Sequence, residues 1–322
     1  MIQATTKNVS LCVFCLSLLA VGCTSSNFSN RADKRDSQTG APQEIVAFTT
    51  NNENELRARI EQIAQAAQGR VGVTATVLET GESVTLNGEQ QFPMQSVYKF
   101  PIAMAVLAQV DQGKLKLDQK IRVEVSDVLQ GSRILDKKAQ GRAFSLAELL
   151  KYMVSESDGT SCNVLLRLVG EPRMVTEYLR RLGVNDIVVA NTEKELAQDA
   201  AVKYRNYATP AATVVLLRAF HEGKGLSKVS QALLLQLMTE TTTGPKRLKG
   251  LLPDGTVVAH KTGTSSTVNG VTAATNDVGL MTLPNGRHLA IAVFVSDSMA
   301  NETIREGVIA KVAQAAWDEW SK

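Results

Sequence analysis

The sequence predicts an α/β protein of the α+β type, with an antiparallel sheet, terminal helices on that sheet, and an all-helical domain. Strand-like segments lie near both ends of the 322-residue chain, and helical periodicity dominates its middle. Sequential strands usually neighbour one another, so the two sets of strands are expected to form one sheet. We therefore predict a discontinuous α/β domain of residues 53–92 and 239–322, with an all-helical domain of residues 93–238 inserted between its parts.

The first part of the α/β domain has the pattern helix, strand, strand. Helical periodicity over Glu53–Gln68 ends at Gly69. The apolar segments Val71–Leu78 and Ser83–Leu86 are separated by a short turn containing Gly81, which is typical of a pair of strands.

The middle of the chain contains a series of helical patterns. Ser145 is a suitable helix N-cap, and Glu148 three residues later completes a capping box. The predicted helices are Phe100–Gln112, Ser145–Ser155, Thr160–Val169, Arg173–Leu182, Thr209–Glu222 and Ser227–Met238.

After Thr239 the pattern returns to strands. These are predicted at Val257–Lys261, Ala273–Leu283 and Leu289–Ser296, and Pro284-Asn285-Gly286 is a hairpin signal between the last two. An amphipathic helix over Glu302–Trp320 ends the chain.

The N-terminus has the features of a bacterial lipoprotein signal. Lys7 precedes the apolar run Val9–Val21, which suits the h-region of a signal peptide, and small residues precede Cys23. Residues 1–22 are therefore expected to be a removed signal peptide, and residues 23–52 a flexible polar tether. The resemblance to a lipobox implies a lipid on Cys23 and a periplasmic protein anchored to a bacterial membrane. An ordinary secretory signal with an incidental cysteine is the alternative.

Composition limits the partners. A net charge of +3 with both signs interspersed gives no basic surface for nucleic acid. We expect a monomer that contacts a membrane only through its lipid.

Cys162 is the one cysteine left in the mature domain, so it is expected to be a buried packing residue. His221, His260 and His288 show no metal-ligand spacing, so neither a metal nor any other cofactor is expected.

Three short motifs suggest nucleophilic catalysis. In Ser96-Val97-Tyr98-Lys99 a hydroxyl and an amine lie three residues apart, on one face of a helix. This pattern alone occurs by chance in a chain of this length, so its meaning depends on Ser157-Asp158-Gly159 and Lys261-Thr262-Gly263. Ser96 begins the helical insert and Lys261 lies on a late strand, so the two are expected to meet at the domain junction, a favoured place for a pocket.

In this order and spacing, the three motifs resemble those of class A β-lactamases. The stretches Thr241–Gly250, Ala259–Ser265 and Ala273–Gly279 resemble the extended-spectrum PER/VEB-type branch, and the similarity covers essentially the whole mature domain. The resemblance implies hydrolysis of the strained β-lactam amide of a small-molecule substrate, such as a penicillin or cephalosporin, and hence antibiotic resistance.

The roles of the residues follow from this chemistry and from the resemblance. Ser96 would attack the carbonyl, and Lys99 would take its proton or support another base. The backbone N–H groups of Ser96 and Thr264 would form the oxyanion hole. Ser157 would protonate the departing nitrogen, and Lys261 would add positive charge. The resemblance places Thr262, Gly263, Thr264 and Ser265 along the substrate.

The resemblance also implies a glutamate that activates water for deacylation. Glu193, in the loop segment Thr192–Leu196, is the expected base, and Glu195 is the alternative.

Four departures from the family pattern stand out. Gly159 replaces an asparagine whose amide would bind the substrate, so backbone groups or Gln95 would have to compensate. Arg247 replaces the usual late-strand arginine as the candidate for binding the substrate carboxylate.

The other two departures concern the glutamate loop. Asn191 and Asn206 replace an Arg–Asp ion pair, so at best an amide–amide hydrogen bond is expected there. Ala197 replaces an asparagine that helps hold the hydrolytic water.

Two other functions use the same Ser–Lys chemistry. A penicillin-binding DD-peptidase lacks the deacylating glutamate loop, so Glu193 argues against it. A β-lactam sensor that acylates and stalls is favoured only by Gly159 and Ala197.

Overall fold

The computed structural model describes residues 43–198 and 200–322, and only the backbone of residues 43–52, 200 and 201. The predicted signal peptide, Cys23 and the tether up to residue 42 lie outside the described residues. The rest of the predicted tether is wrong, because residues 43–52 belong to the first helix, α1 (Gln43–Gln65). Once a helix is nucleated over Glu53–Gln65, each residue added at its N-terminus gains a hydrogen bond without needing a core of its own.

The predicted helices are confirmed to within three residues at their ends, apart from the start of α1. A short helix, α6, replaces part of the predicted glutamate loop. None of the helices in the described residues is both long and apolar enough to span a bilayer. Residues 43–198 and 200–322 contain α1, α2 Lys99–Asp111, α3 Leu146–Val154, α4 Gly159–Val169, α5 Glu171–Arg181, α6 Glu193–Gln198, α7 Pro210–His221, α8 Lys228–Thr239 and α9 Glu302–Trp320.

The main sheet is antiparallel throughout and is built from both ends of the chain, as predicted. Its strand order is β2-β1-β12-β11-β8, which makes β8 an edge strand. The strands of the described residues are β1 Arg70–Val77, β2 Ser83–Leu86, β3 Phe92–Pro93, β4 Lys120–Arg122, β5 Ala143–Ser145, β6 Ile187–Val188, β7 Tyr207–Ala208, β8 Val258–Thr264, β9 Thr267–Val268, β10 Val271–Thr272, β11 Thr275–Thr282 and β12 His288–Ser296.

The middle region is not purely helical. β7 pairs with both β3 and β6, and β4 pairs with β5. These strands are only two or three residues long, which is too short for an alternating pattern to be recognised in the sequence.

Two hydrophobic clusters pack against opposite faces of the main sheet. Along β12, Ala292 and Phe294 join the cluster formed with the helical insert, whereas Ile291 and Val293 join the cluster formed with α1 and α9. This alternation is the period of two that a strand imposes. The long α2 is buried along most of its length, so the residues at its N-terminus are held in a rigid surrounding.

Candidate active site

The Ser96–Lys99 pair lies where a short 3-10 helix, Gln95–Tyr98, runs into α2. The Lys99 Nζ atom donates a hydrogen bond to Ser96 Oγ at 2.7 Å, so the predicted meeting of hydroxyl and amine is confirmed. Gln95, which precedes the serine, has a φ of 47°. A non-glycine residue in the left-handed region is uncommon and costs energy, and such residues cluster at functional sites.

The amine of Lys99 is almost completely buried and makes two more contacts. Its Nζ atom lies 2.6 Å from Glu193 Oε1, and it donates to the carbonyl of Ser157 at 3.1 Å. The Lys99 side chain is 1 % exposed and that of Glu193 is 15 % exposed. Lys99 therefore links the serine hydroxyl to a largely buried carboxylate through two short contacts.

A second hydroxyl–amine pair lies beside the first. The buried Lys261, on β8, donates from Nζ to Ser157 Oγ at 3.0 Å. Burial and the nearby charge of Lys99 lower the pKa of Lys261 well below that of an exposed lysine. Ser157 itself has a φ of 58°, a second left-handed residue in the site. The structure thus brings residues of all three motifs together, as expected.

The edge strand β8 passes close to the segment before Ser96. A Cβ atom on Gly263 would lie 2.3 Å from the carbonyl oxygen of Met94, so only glycine permits this approach. The side-chain amide of the buried Asn276, on β11, donates to the carbonyls of Pro93 and Met94 at 2.8 and 3.1 Å. These contacts fix the serine-bearing turn against the sheet.

The register of β8 leaves the Thr264 N–H group outside the sheet. Ser265 N donates to the Ala274 carbonyl at 2.9 Å, and Thr264 is paired with Thr275. In an antiparallel ladder the hydrogen-bonded and non-bonded pairs alternate, so Thr264 occupies a non-bonded position. On an edge strand its N–H then points away from β11, which suits the predicted oxyanion hole.

A cavity of about 530 Å³ opens in front of these groups. Among the predicted site residues, Ser96, Ser157, Thr262, Thr264 and Arg247 line the cavity, and the others do not: Lys99, Glu193, Lys261, Gln95, Gly159, Gly263 and Ser265. The lining consists of Ser96, Arg133, Ser157, Thr242, Thr243, Gly244, Pro245, Arg247, Thr262, Thr264, Glu302 and Glu306. Its hydroxyl groups and its arginines give it hydrogen-bond donors suited to an anionic ligand.

Arg247 is only 4 % exposed, and its guanidinium is largely engaged by protein. It donates to Thr264 Oγ1 at 2.8 Å and lies 3.1 Å from the Glu306 carboxylate. It also donates to the carbonyls of Gly263 and Asn276. Arg247 therefore influences the cavity mainly by orienting the hydroxyl of Thr264, which lines it.

The Leu129 side chain occupies the space beside Gly159 in which the family's asparagine side chain would lie. A Cβ atom on Gly159 would lie 2.4 Å from Leu129 Cδ2 and 3.7 Å from Glu193 Cγ. The neighbouring Asp158 caps α4 and is fully buried. Its Oδ2 accepts from the Ser132 hydroxyl at 2.6 Å and from two backbone N–H groups.

The glutamate loop is held by amides, in a way that differs from the expectation. Asn206 does not bond the Asn191 side chain; its Oδ1 accepts from the backbone N–H groups of Ala190 and Asn191 at 2.8 Å, and its Nδ2 donates to the Asn191 carbonyl. A side chain that bonds backbone groups on both sides needs no partner amide. Asn163, on α4, accepts from the Glu193 N–H at 3.1 Å.

The two candidate glutamates have different surroundings. Glu195 accepts from the N–H and hydroxyl of Thr192 at 2.7 and 2.9 Å, the arrangement of a helix cap, and these bonds lower its pKa. Glu193 alone of the two contacts Lys99. Ala197 is exposed on α6.

Some functional neighbours were not found by sequence reasoning. Leu129, Asn163 and Arg133 carry no motif of their own, and they reach the site only through the fold. The hydroxyl of Thr243 lies 2.5 Å from that of Thr262, and its stretch was noticed only as a family resemblance.

The remaining cysteine and the histidines have separate places. Cys162 is free and buried, as expected, and burial raises its pKa to about 12. His260 is buried against Asp277, with Nδ1 2.9 Å from the carboxylate. His221 and His288, in contrast, lie together with ring centroids 4.4 Å apart, although they are far apart in sequence. Sequence spacing does not reveal a contact between a helix end and a strand start.

Comparison with known proteins agrees with the geometry. The description "Beta-lactamase enzyme family" matches residues 55–320. The chain is 45 % identical over 265 residues to the extended-spectrum β-lactamase PER-1 of Pseudomonas aeruginosa, covering 81 % of this chain and 86 % of the relative. It is 39 % identical to β-lactamase VEB-1 of the same organism, covering 85 % and 93 %.

Two solved structures extend the comparison. A β-lactamase from Chitinophaga pinensis is 50 % identical, with a TM-score of 0.80, over 82 % of this chain and 99 % of that one. A class A β-lactamase from Bacteroides cellulosilyticus is 32 % identical, with a TM-score of 0.79, over 84 % and 98 %. The chain belongs to the class A β-lactamase family. The relationship to both PER-1 and VEB-1 also confirms the branch suggested by the sequence, and the class A fold is the α/β architecture described above.

Proposed function

We propose that the protein hydrolyses the amide bond of β-lactam antibiotics through an acyl-enzyme on Ser96, and so confers resistance to them. One observation carries the proposal: Lys99 Nζ lies within 2.7 Å of Ser96 Oγ and within 2.6 Å of Glu193 Oε1, beside the cavity. A two-step acyl transfer requires a nucleophile, a group that accepts its proton, and a base that activates water. The serine hydroxyl, the lysine amine and the glutamate carboxylate can fill these roles, and they are in direct contact.

Acylation begins when Ser96 Oγ attacks the β-lactam carbonyl and its proton leaves through Lys99. The contact with Glu193 lets the same proton continue to the carboxylate, so either group can serve as the final acceptor. The Ser96 and Thr264 N–H groups would stabilise the oxyanion, a contribution that typically amounts to about 10²–10³ in rate per donor.

The C–N bond then breaks, and the nitrogen must gain a proton. Ser157 is the proposed donor, and it can recover its proton from Lys261 through their 3.0 Å hydrogen bond. The lowered pKa of Lys261 favours this transfer, because a buried ammonium gives up its proton more readily.

Deacylation needs a water molecule activated beside the ester. Glu193 is the proposed base, since its carboxylate is poised at Lys99 and its backbone is tied to Asn163. This contact supports hydrolysis over both alternatives, the DD-peptidase and the stalled sensor, which have no such base. Thr262 and Thr264 are proposed to hold the substrate carboxylate, with Arg247 orienting the Thr264 hydroxyl and adding positive charge behind it.

A chromogenic cephalosporin tests the proposal. We expect many turnovers per molecule of wild-type protein and none with Ser96→Ala, while circular dichroism shows that the variant is folded. A wild-type protein that forms one stable adduct per molecule would instead establish the sensor.

For the N-terminal region we propose a lipid on Cys23 and a monomeric protein tethered on the periplasmic side of a bacterial membrane. The support is the apolar run Val9–Val21 followed by small residues and Cys23. Cells grown with labelled palmitate should label the wild-type chain, and Cys23→Ala should lose both the label and the membrane association. Labelling that survives Cys23→Ala would contradict the anchor. Sedimentation of the released protein reports whether it is a monomer.

A further inference from the structure

We propose that Glu79, His221 and His288 form a binding site for a divalent metal ion of the zinc class. One potential ligand atom from each residue lies within 4.8 Å of the other two. The three residues come from separate elements: Glu79 follows β1, His221 ends α7, and His288 begins β12.

The distances suit a small ion. His288 Nδ1 lies 2.7 Å from Glu79 Oε1, and the two imidazole centroids are 4.4 Å apart with their planes inclined by 46°. Nitrogen and oxygen ligands at 2.0–2.1 Å from tetrahedral zinc lie about 3.3 Å from one another. The ligand atoms of the three residues lie within 4.8 Å of one another and the Glu79–His288 pair lies at 2.7 Å, so the side chains would have to adjust for all three atoms to reach one ion.

The chemistry of the donors also fits. Two imidazoles and one carboxylate are a common zinc-binding set, with a fourth position left for water. Imidazole-rich sites favour zinc over magnesium or calcium, which prefer oxygen ligands. Both histidines are half-buried and border a cavity of about 300 Å³, which gives an ion and its water room to enter.

The neighbouring charges do not block the site. Glu222 pairs with Lys224 at 2.7 Å and Arg218 donates to the Leu78 carbonyl, so these groups are already engaged. Lys228 lines the same cavity and is the one opposing cation among its described lining residues. The long side chain of a lysine can keep its amine in solvent.

This site is separate from the catalytic one. Its cavity shares none of its described lining residues with the cavity at Ser96. A metal bound there would connect the end of α7 to β12 and to the turn after β1. We therefore expect it to stabilise the fold, because an ion that binds only the native state raises the unfolding temperature.

Calorimetry of the chelator-treated protein with ZnCl₂ measures the binding. We expect one ion per chain for the wild type, and affinity at least about tenfold weaker for His221→Ala, His288→Ala and Glu79→Gln. Glu222→Gln is the matched control, since it removes an adjacent surface carboxylate, and it should bind zinc as the wild type does. Circular dichroism verifies that each variant is folded.

Two further readouts test the same site. At a hundredfold excess over the dissociation constant, zinc should raise the wild-type unfolding midpoint by about 5–10 °C and leave the three ligand variants unchanged. Cobalt(II) should give the intense visible absorption of a tetrahedral site in the wild type only. Absence of one-to-one binding, or equal losses in Glu222→Gln and the ligand variants, would overturn the proposal.

Discussion

Replacing Gly159 by asparagine is expected to destabilise this protein, although asparagine is the usual residue in the family. The Cβ atom would lie 2.4 Å from Leu129 Cδ2, whereas carbon atoms in contact are about 3.5–4.0 Å apart. Leu129 must therefore move by more than about 1 Å, and its backbone N–H is tied to Thr160 Oγ1 at 3.0 Å. Because the atom in conflict is the end of a half-buried side chain, we expect a cost of about 1–2 kcal/mol, in the lower part of the range for overpacking. For a domain of this size, that lowers the unfolding midpoint by about 2–8 °C.

A double-mutant cycle isolates the contact. Urea unfolding of the wild type, Gly159→Asn, Leu129→Ala and the double variant gives four free energies of unfolding. Leu129→Ala removes the atom in conflict, so asparagine at position 159 should cost little in that background. We expect a coupling energy of at least about 1 kcal/mol. A coupling below about 0.5 kcal/mol would show that Leu129 does not occupy the place of the missing amide.

Three other perturbations have defined outcomes. Asn163→Leu removes the acceptor for the Glu193 N–H, so deacylation should slow about 10- to 100-fold and acyl-enzyme should accumulate in intact-mass spectra; unchanged kinetics would contradict this. The lowered pKa of Lys261 means that its charge is lost as pH rises through that value, so kcat/KM should fall on the alkaline side below the usual lysine pKa. Lys261→Arg should shift that limb to higher pH, and an unmoved limb would refute the assignment. Because the native state binds fewer protons at Lys261 than the unfolded state does, this residue should also make stability rise with pH between the lowered and the ordinary value. Burial should prevent Cys162 from reacting with a thiol reagent at pH 8 until urea unfolds the protein, as peptide mass analysis would measure; fast labelling of the native protein would contradict its burial.

The fold was largely predictable because its signals are local. The alternation along β12 and the capping box at Ser145 depend on residues within a few positions of one another. The Ser96–Lys99 contact is also local, since three residues of helix determine it. The start of α1 was missed because its first ten residues lack a strong apolar period, although the helix behind them extends through them.

The rest of the site depends on contacts far apart in sequence. Ser157 and Lys261 are 104 residues apart, and only the family resemblance placed them together. Neither local sequence predicts that Leu129 packs beside Gly159, because a leucine in a loop has many possible packing partners. The same holds for Glu79, His221 and His288, whose spacing matches no metal motif.

The central claim is that Glu193, and not Glu195, completes the hydrolysis begun by Ser96. Intact-mass spectrometry of Glu193→Gln after mixing with a cephalosporin tests it most directly, with Glu195→Gln as the matched control. We predict that Glu193→Gln accumulates a covalent adduct on Ser96, while Glu195→Gln, which loses only a helix cap, still turns over. Deacylation of Glu193→Gln at the wild-type rate, or accumulation of the adduct in Glu195→Gln instead, would contradict the account.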